Sequence, residues 1–137
     1  MPTKLNAYLN FKDNAREAME FYRGVFGGEL TINTFSELNA SSDPSEGDKV
    51  MHSVLEAEGI SFMAADTPNS MEYKSAAGFG MSLSGDNLDE LSGYFDKLSA
   101  GGMVTMPLEK AAWGDTFGMV VDKFGVSWLV NVLASPG

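Results

Sequence analysis

The sequence predicts an α+β fold of two tandem βαβββ modules, forming a curved, roughly eight-stranded sheet with helices on its outer face. Three observations carry this: a pair of matching amphipathic helices, a hairpin that occurs twice, and an alternating strand ahead of each helix. The chain folds as a single domain over 1–137, with modules at about 1–66 and 78–134 and a linker at about 67–77. Neither module alone can cover its sheet. The concave inner face of the paired modules is therefore the expected cavity.

Taken in order, residues 5–11 alternate as a first strand and residues 79–83 as its counterpart, with Leu9 and Phe11 answering Met81 and Leu83. Asn14-Ala15-Arg16-Glu17 opens the first helix and Asn87-Leu88-Asp89-Glu90 the second. Each places Asn three residues before Glu, so that an N-cap side chain accepts a backbone N–H and the Glu reaches back. The first helix carries Ala15, Ala18, Met19, Tyr22, Val25 and Phe26 on one stripe, and the second carries Leu88, Leu91, Phe95 and Leu98. Both stop at paired glycines, Gly27-Gly28 and Gly101-Gly102, which readily take a left-handed cap conformation. The offset between helices is 73 at the starts (87 − 14) and 74 at the ends (101 − 27). Residues 54–63 then lie on residues 120–129 at a constant offset of 66, each reading as strand, acidic turn with glycine, strand. The shorter offset leaves extra loop in the first module, and residues 39–49, rich in Ser, Asp and Glu, read as a mobile polar excursion.

Composition narrows the function. With no cysteine, disulfides, thiolate nucleophiles and cysteine-bound metals are excluded. Nine scattered Lys and Arg against a net charge of −10 argue against nucleic acid, whose phosphates need clustered cations. No apolar run approaches the roughly 18 residues of a membrane span. The amino terminus carries no basic-then-apolar leader, so the cytoplasm is expected and the sequon Asn39-Ala40-Ser41 has no meaning there. The acidic balance serves solubility, and it favours a cationic ligand if charge matters at all. Gly78-Phe79-Gly80 lacks the third glycine and following helix of a dinucleotide fingerprint.

Several segments, in order along nearly the whole chain, carry a resemblance. Ala7-Tyr8-Leu9-Asn10-Phe11, Ala15-Arg16-Glu17-Ala18-Met19-Glu20-Phe21-Tyr22 and Val25-Phe26-Gly27-Gly28 form the opening. Val50-Met51-His52-Ser53 and Met63-Ala64-Ala65-Asp66 form the middle. Trp113-Gly114-Asp115-Thr116-Phe117-Gly118-Met119 and Asp122-Lys123-Phe124-Gly125-Val126-Ser127-Trp128 form the close. The chain resembles the PhnB-like family of the vicinal oxygen chelate superfamily, whose relatives include glyoxalase I, extradiol dioxygenases and the bleomycin and fosfomycin resistance proteins. The resemblance implies the paired-module fold and a homodimer, and no single reaction. It also brings associations with phosphonate metabolism and quinone methylation, for which the chain shows no methyl-donor motif or other supporting residue.

Metal-dependent members of that superfamily hold a divalent ion with His and Glu on the first and last strand of each module. Carried over, those positions fall on Asn6, on Gly78 or Gly80, on Met63 and on Leu129. None is a carboxylate or imidazole, so no metal and no cofactor are expected. Asn6, Met63 and Leu129 become candidate ligand-lining residues instead. His52, the single histidine, is the nearest thing to a general base. Alternation from Val50 sets His52 and Val54 on one face and Met51, Ser53 and Leu55 on the other, and leaves open which face looks inward. A hydrogen-bonded structural histidine is the plainer reading.

Trp113 and Asp115 carry two readings, a stacking indole with a carboxylate for a cationic ligand, or a plug and a turn residue after a turn at Met106-Pro107. Asp122-Lys123-Phe124-Gly125 reads as the last hairpin turn, Asp13 and Asp86 as helix-start residues, and Asp66 as a strand-end turn residue. The nine methionines read mostly as core, with some adaptable lining. The function expected is metal-independent binding of a small molecule by a homodimer. The alternatives are a lyase- or dioxygenase-type enzyme with a displaced metal site or metal-free chemistry at His52, and an interaction module without ligand.

Overall fold

The computed structural model describes Thr3 and residues 5–37, 44–74 and 77–134. The chain divides into two compact units, Met1–Ser75 and Ala76–Gly137. The first runs β1 (Ala7–Phe11), α1 (Ala15–Phe26), β2 (Glu29–Thr34), a 3₁₀ turn (Pro44–Glu46), β3 (Val50–Ala57) and β4 (Ile60–Asp66). The second runs β5 (Met81–Gly85), α2 (Leu88–Ser99), β6 (Met103–Lys110), β7 (Thr116–Val121) and β8 (Ser127–Val132). Each is thus a βαβββ unit, and the eight strands form two four-stranded sheets of order β1-β4-β3-β2 and β5-β8-β7-β6. In each sheet the first strand runs parallel to the last and the other pairs are antiparallel. No helix among the described residues is long and apolar enough to cross a membrane.

One helix covers one face of each sheet. All six residues of the expected α1 stripe are buried. Tyr22 and Phe26 meet Phe62 of β4 edge-on, with ring centroids 5.5 and 6.4 Å apart. In α2 the buried residues are Leu91, Phe95 and Leu98, while Leu88, expected on the same stripe, is 50% exposed. Leu88 follows the cap directly, and the side chain one turn later, Leu91, covers Gly85 instead.

The register corrects the pairing of the first strands. Leu9 lies opposite Ala64 and Leu83 opposite Val130, so Leu9 answers Leu83 and Phe11 answers Gly85. The expected pairing slid by two residues because Gly85 has no side chain to show where the apolar pattern ends.

The caps also differ. Asn87 accepts the N–H of Glu90 at 3.0 Å, whereas Asn14 makes no cap bond through its side chain. Asp66 takes that role: its Oδ1 accepts the N–H of Ala15 and its Oδ2 the N–H of Val50, both at 2.9 Å. Asp66 is therefore a buried clamp between α1 and β3, more than a turn residue. Asp13 is the one non-glycine residue with positive φ (68°) among those described. It occupies an extra position between Phe11 and Asn14 that the second unit lacks.

The polar stretch read as a mobile excursion is described from Pro44 onward, residues 39–43 lying outside the described residues. Its described part is tied down: Phe35 donates to the Lys49 carbonyl at 3.0 Å, Ser36 to Gly47 at 3.1 Å, and Glu46 is buried. Met106-Pro107 lies inside edge strand β6 and makes no turn there, in the part of the strand where the register is irregular. Edge strands are where proline is tolerated.

Candidate functional site

Each sheet has a helix on one face only, and alternation assigns the opposite face. In the first unit that face holds Tyr8 and Asn10 of β1, with Met63 and Ala65 opposite them on β4 and Val54 opposite Met63 on β3. In the second it holds Ser82 and, across from it, Leu129, then Met119, with Phe117 opposite Asn131. Met63 and Leu129 thus occupy matching places. Asn6 lies two residues ahead of Tyr8, and Gly80 two ahead of Ser82, so Gly80 is the counterpart of Asn6.

A bulge decides the place of His52. Asn33 pairs with His52 and Thr34 with Val50, which leaves Met51 without a partner. Simple alternation breaks there. His52 lies on the helix-free face, its ring 6.2 Å from that of Tyr8. Ser53 and Leu55 share the face toward the helix, but Met51, expected on that face with them, borders the same cavity as Tyr8 and Asn10. No hydrogen bond to the imidazole forms among the described residues.

That cavity, about 470 Å³, sits at the bulged end of the first sheet. Tyr8, Asn10, Phe35, Met51, Ala65 and Met71 form most of its wall, with Glu72 and Lys74 at the exposed rim. Burial pushes the Tyr8 hydroxyl above its usual phenol range. The stretch read as linker therefore supplies a wall. Thr67 donates to the Phe11 carbonyl at 2.7 Å, Asn69 N–H to Glu46 at 2.8 Å, and Lys49 Nζ to Asn69 at 3.0 Å. Lys49 also meets Asp13 at 2.8 Å, and that hydrogen bond holds its ammonium above the usual lysine range.

None of the five expected ligand residues lines this cavity. Asn6 and Met63 lie farther along the same sheet, and Trp113, Asp115 and Leu129 belong to the second unit. Trp113 is 64% exposed and meets Phe117 edge-on at 5.7 Å. Asp115 closes the loop beneath it: Oδ1 accepts the N–H of Ala134 at 2.8 Å and Oδ2 the amide of Asn131 at 3.1 Å. Those bonds, Ala134 first, hold its carboxyl below the usual range. Asp115 thus anchors its loop to residues far along the chain, where one of its two expected readings is a turn residue bonding local N–H groups. Trp113 is exposed where one of its readings is a plug. Asp122 accepts Phe124 and Val126 N–H groups and the Trp128 indole, as a turn residue with a buried carboxylate.

The four carried-over positions do not fit a divalent metal. Asn6 offers an amide, Met63 a thioether and Leu129 nothing, and a Cβ built on Gly80 would collide with Leu129. Among the described residues no three His, Asp or Glu side chains are grouped to hold an ion. Among the described methionines Met19 is buried, Met51, Met71, Met103 and Met106 are exposed and the rest are half-buried, so a mostly core set is not what the fold makes of them.

Tyr8, Asn10 and Ala65 escaped the sequence reading although they share the parity of Asn6 and Met63, which was the available signal. Met51 was hidden by the bulge, and Met71 and Lys74 by lying in a stretch read as linker.

The family described as 3-demethylubiquinone-9 3-methyltransferase matches residues 3–131. Protein YjdN of Escherichia coli is 30% identical over 140 residues, covering 94% of this chain and 95% of that protein. Protein PA1353 of Pseudomonas aeruginosa, a crystal structure, is 34% identical with a TM-score of 0.86, covering 98% of this chain and all of that one. A PhnB protein from Bacillus cereus is 26% identical with a TM-score of 0.77, covering 96% of this chain and all of that one. A glyoxalase/bleomycin resistance protein/dioxygenase superfamily member from Sphaerobacter thermophilus, 20% identical with a TM-score of 0.59 and covering 96% of this chain and 98% of that one, shares the fold. With its two βαβββ units and these relatives, the chain belongs to the PhnB-like family described as 3-demethylubiquinone-9 3-methyltransferase, and it shares its fold with a member of the glyoxalase/bleomycin resistance/dioxygenase superfamily.

Proposed function

We propose that this chain is a metal-independent small-molecule binding protein, working as a cytoplasmic homodimer, with its ligand seated against the helix-free face of a sheet. The observation that carries this reading is the matched placement of Met63 and Leu129 on those faces, beside Tyr8 and Ser82. Apolar and neutral side chains stand where a metal-dependent relative would need imidazole and carboxylate. The exposed Trp113 indole offers a further stacking surface, and a cation there would gain from both the ring and the nearby Asp115 charge.

A thermal-shift screen with metals, cationic compounds and metabolites tests the reading, because a binder raises the melting temperature with its concentration over affinity. Small molecules should stabilise the dialysed protein and divalent metals should not. Elemental analysis showing near-stoichiometric Zn, Mn, Fe or Ni would sink metal independence.

A second reading, favoured by His52 beside Tyr8 on the helix-free face, is a metal-free enzyme. There His52→Gln should abolish turnover of a bound compound while its affinity holds. Ligands bound without turnover leave the binding reading in place.

A further inference from the structure

We propose that the cavity at the bulged end of the first sheet is the ligand seat, and that it takes an uncharged, flat aromatic molecule. This rests on the binding-protein reading above and narrows it to one place and one chemistry. The volume of about 470 Å³ lies within the range of sites that enclose drug-sized molecules.

The walls are chemically consistent. Tyr8 and Phe35 supply ring faces and edges, Met51 and Met71 supply polarizable thioethers, and Ala65 supplies a flat apolar floor. Phe35 is buried, so at least one ring is fixed before a ligand arrives. The charge balance excludes a strong preference for an ion. The one carboxylate in the deeper wall, Asp66, already has each oxygen 2.9 Å from a backbone N–H. Glu72 and Lys74 at the rim are of opposite sign and both exposed. An anion moving inward would meet the Asp66 charge, and a cation would compete with the Lys49 ammonium that already interacts with that carboxylate, whereas a neutral ring loses little. The Tyr8 hydroxyl and the Asn10 amide leave room for one neutral polar edge on the ligand.

The seat is also built in advance. Asn69 is held through its N–H on Glu46 and its side-chain oxygen on Lys49, which fixes the outer wall before binding. Affinity gains when such ordering need not be supplied by the ligand.

The test uses the full chain labelled with [methyl-13C]methionine and titrated with N-phenyl-1-naphthylamine, an uncharged dye that fluoresces in apolar surroundings. Saturable binding should move the Met51 and Met71 methyl signals and leave those of Met103 and Met106 in place. Met51→Glu and Met71→Glu, at exposed wall positions, should each weaken the dye about tenfold or more at an unchanged melting temperature. The cation ethidium should not displace it. If Met103 or Met106 moves instead, or if Trp113→Ala weakens the dye and neither Glu variant does, the seat lies elsewhere and this inference falls while the binding reading stands. Absence of saturable dye binding also overturns it. Should the thermal-shift screen be blank as well, the binding reading falls with it.

Discussion

Phe62 and Trp128 hold equivalent places in the two units, and the single N–H that separates their chemistry reorganises the second turn. An indole buried against a helix needs an acceptor. Asp122 supplies it at 2.8 Å and draws in two backbone N–H groups of the turn as well. Glu56, at the same repeat position, is exposed, because Phe62 asks for nothing. Asp122→Ala should therefore lower stability by about 3 kcal/mol by stranding buried donors, while Glu56→Ala stays within about 0.5 kcal/mol. Equal effects in urea unfolding would refute that account. Asp115 makes a second residue-scale test. Its carboxyl is held below the usual range in the folded chain, so its contribution is complete above the usual carboxylate value and is lost as pH falls through the lowered one. The stability gap between wild type and Asp115→Asn should be constant above about pH 5 and close in acid. A gap that persists in acid would show that the loop depends on shape alone.

At the scale of elements, the two helices begin with the same signature and are capped by different means. Asn87 caps its own helix, while Asp66, fifty-one residues away in sequence from Ala15, caps the first. Asn87→Ala should cost about 1 kcal/mol, the ordinary worth of an N-cap, and Asn14→Ala clearly less. Denaturant midpoints of the two variants check this, and a larger loss at Asn14 would overturn it. Both glycine pairs are explained by close approach. A Cβ on Gly28 would strike the Glu56 carbonyl, and one on Gly102 the Val121 carbonyl, so each helix returns to its sheet through a gap only glycine leaves.

For the whole molecule, the β6 edge matters most. Met103, Val104 and Met106 are exposed along an edge strand, a surface that natural proteins cover or blunt. Closed two-fold pairing is the commonest cover among oligomers. Light scattering should give twice 14.7 kDa at micromolar concentration. A monomer mass would count against the homodimer.

The sequence by itself determined the order of elements, the repeat, the helix stripe of α1, the hairpins and the family, because these depend on local periodicity, turn chemistry and motif order. It also shows that no carboxylate or imidazole stands at the positions the resemblance carries over. Only the tertiary structure decided that Gly85 stands where Phe11 does, that a bulge sets Met51 at the cavity while His52 lies beside Tyr8, and that Asp66 caps a helix far from it in sequence. Only it made a cavity wall of a stretch that reads as linker. Register, bulges and long-range caps depend on which strand lies beside which, and a single strand's pattern carries no record of its neighbour.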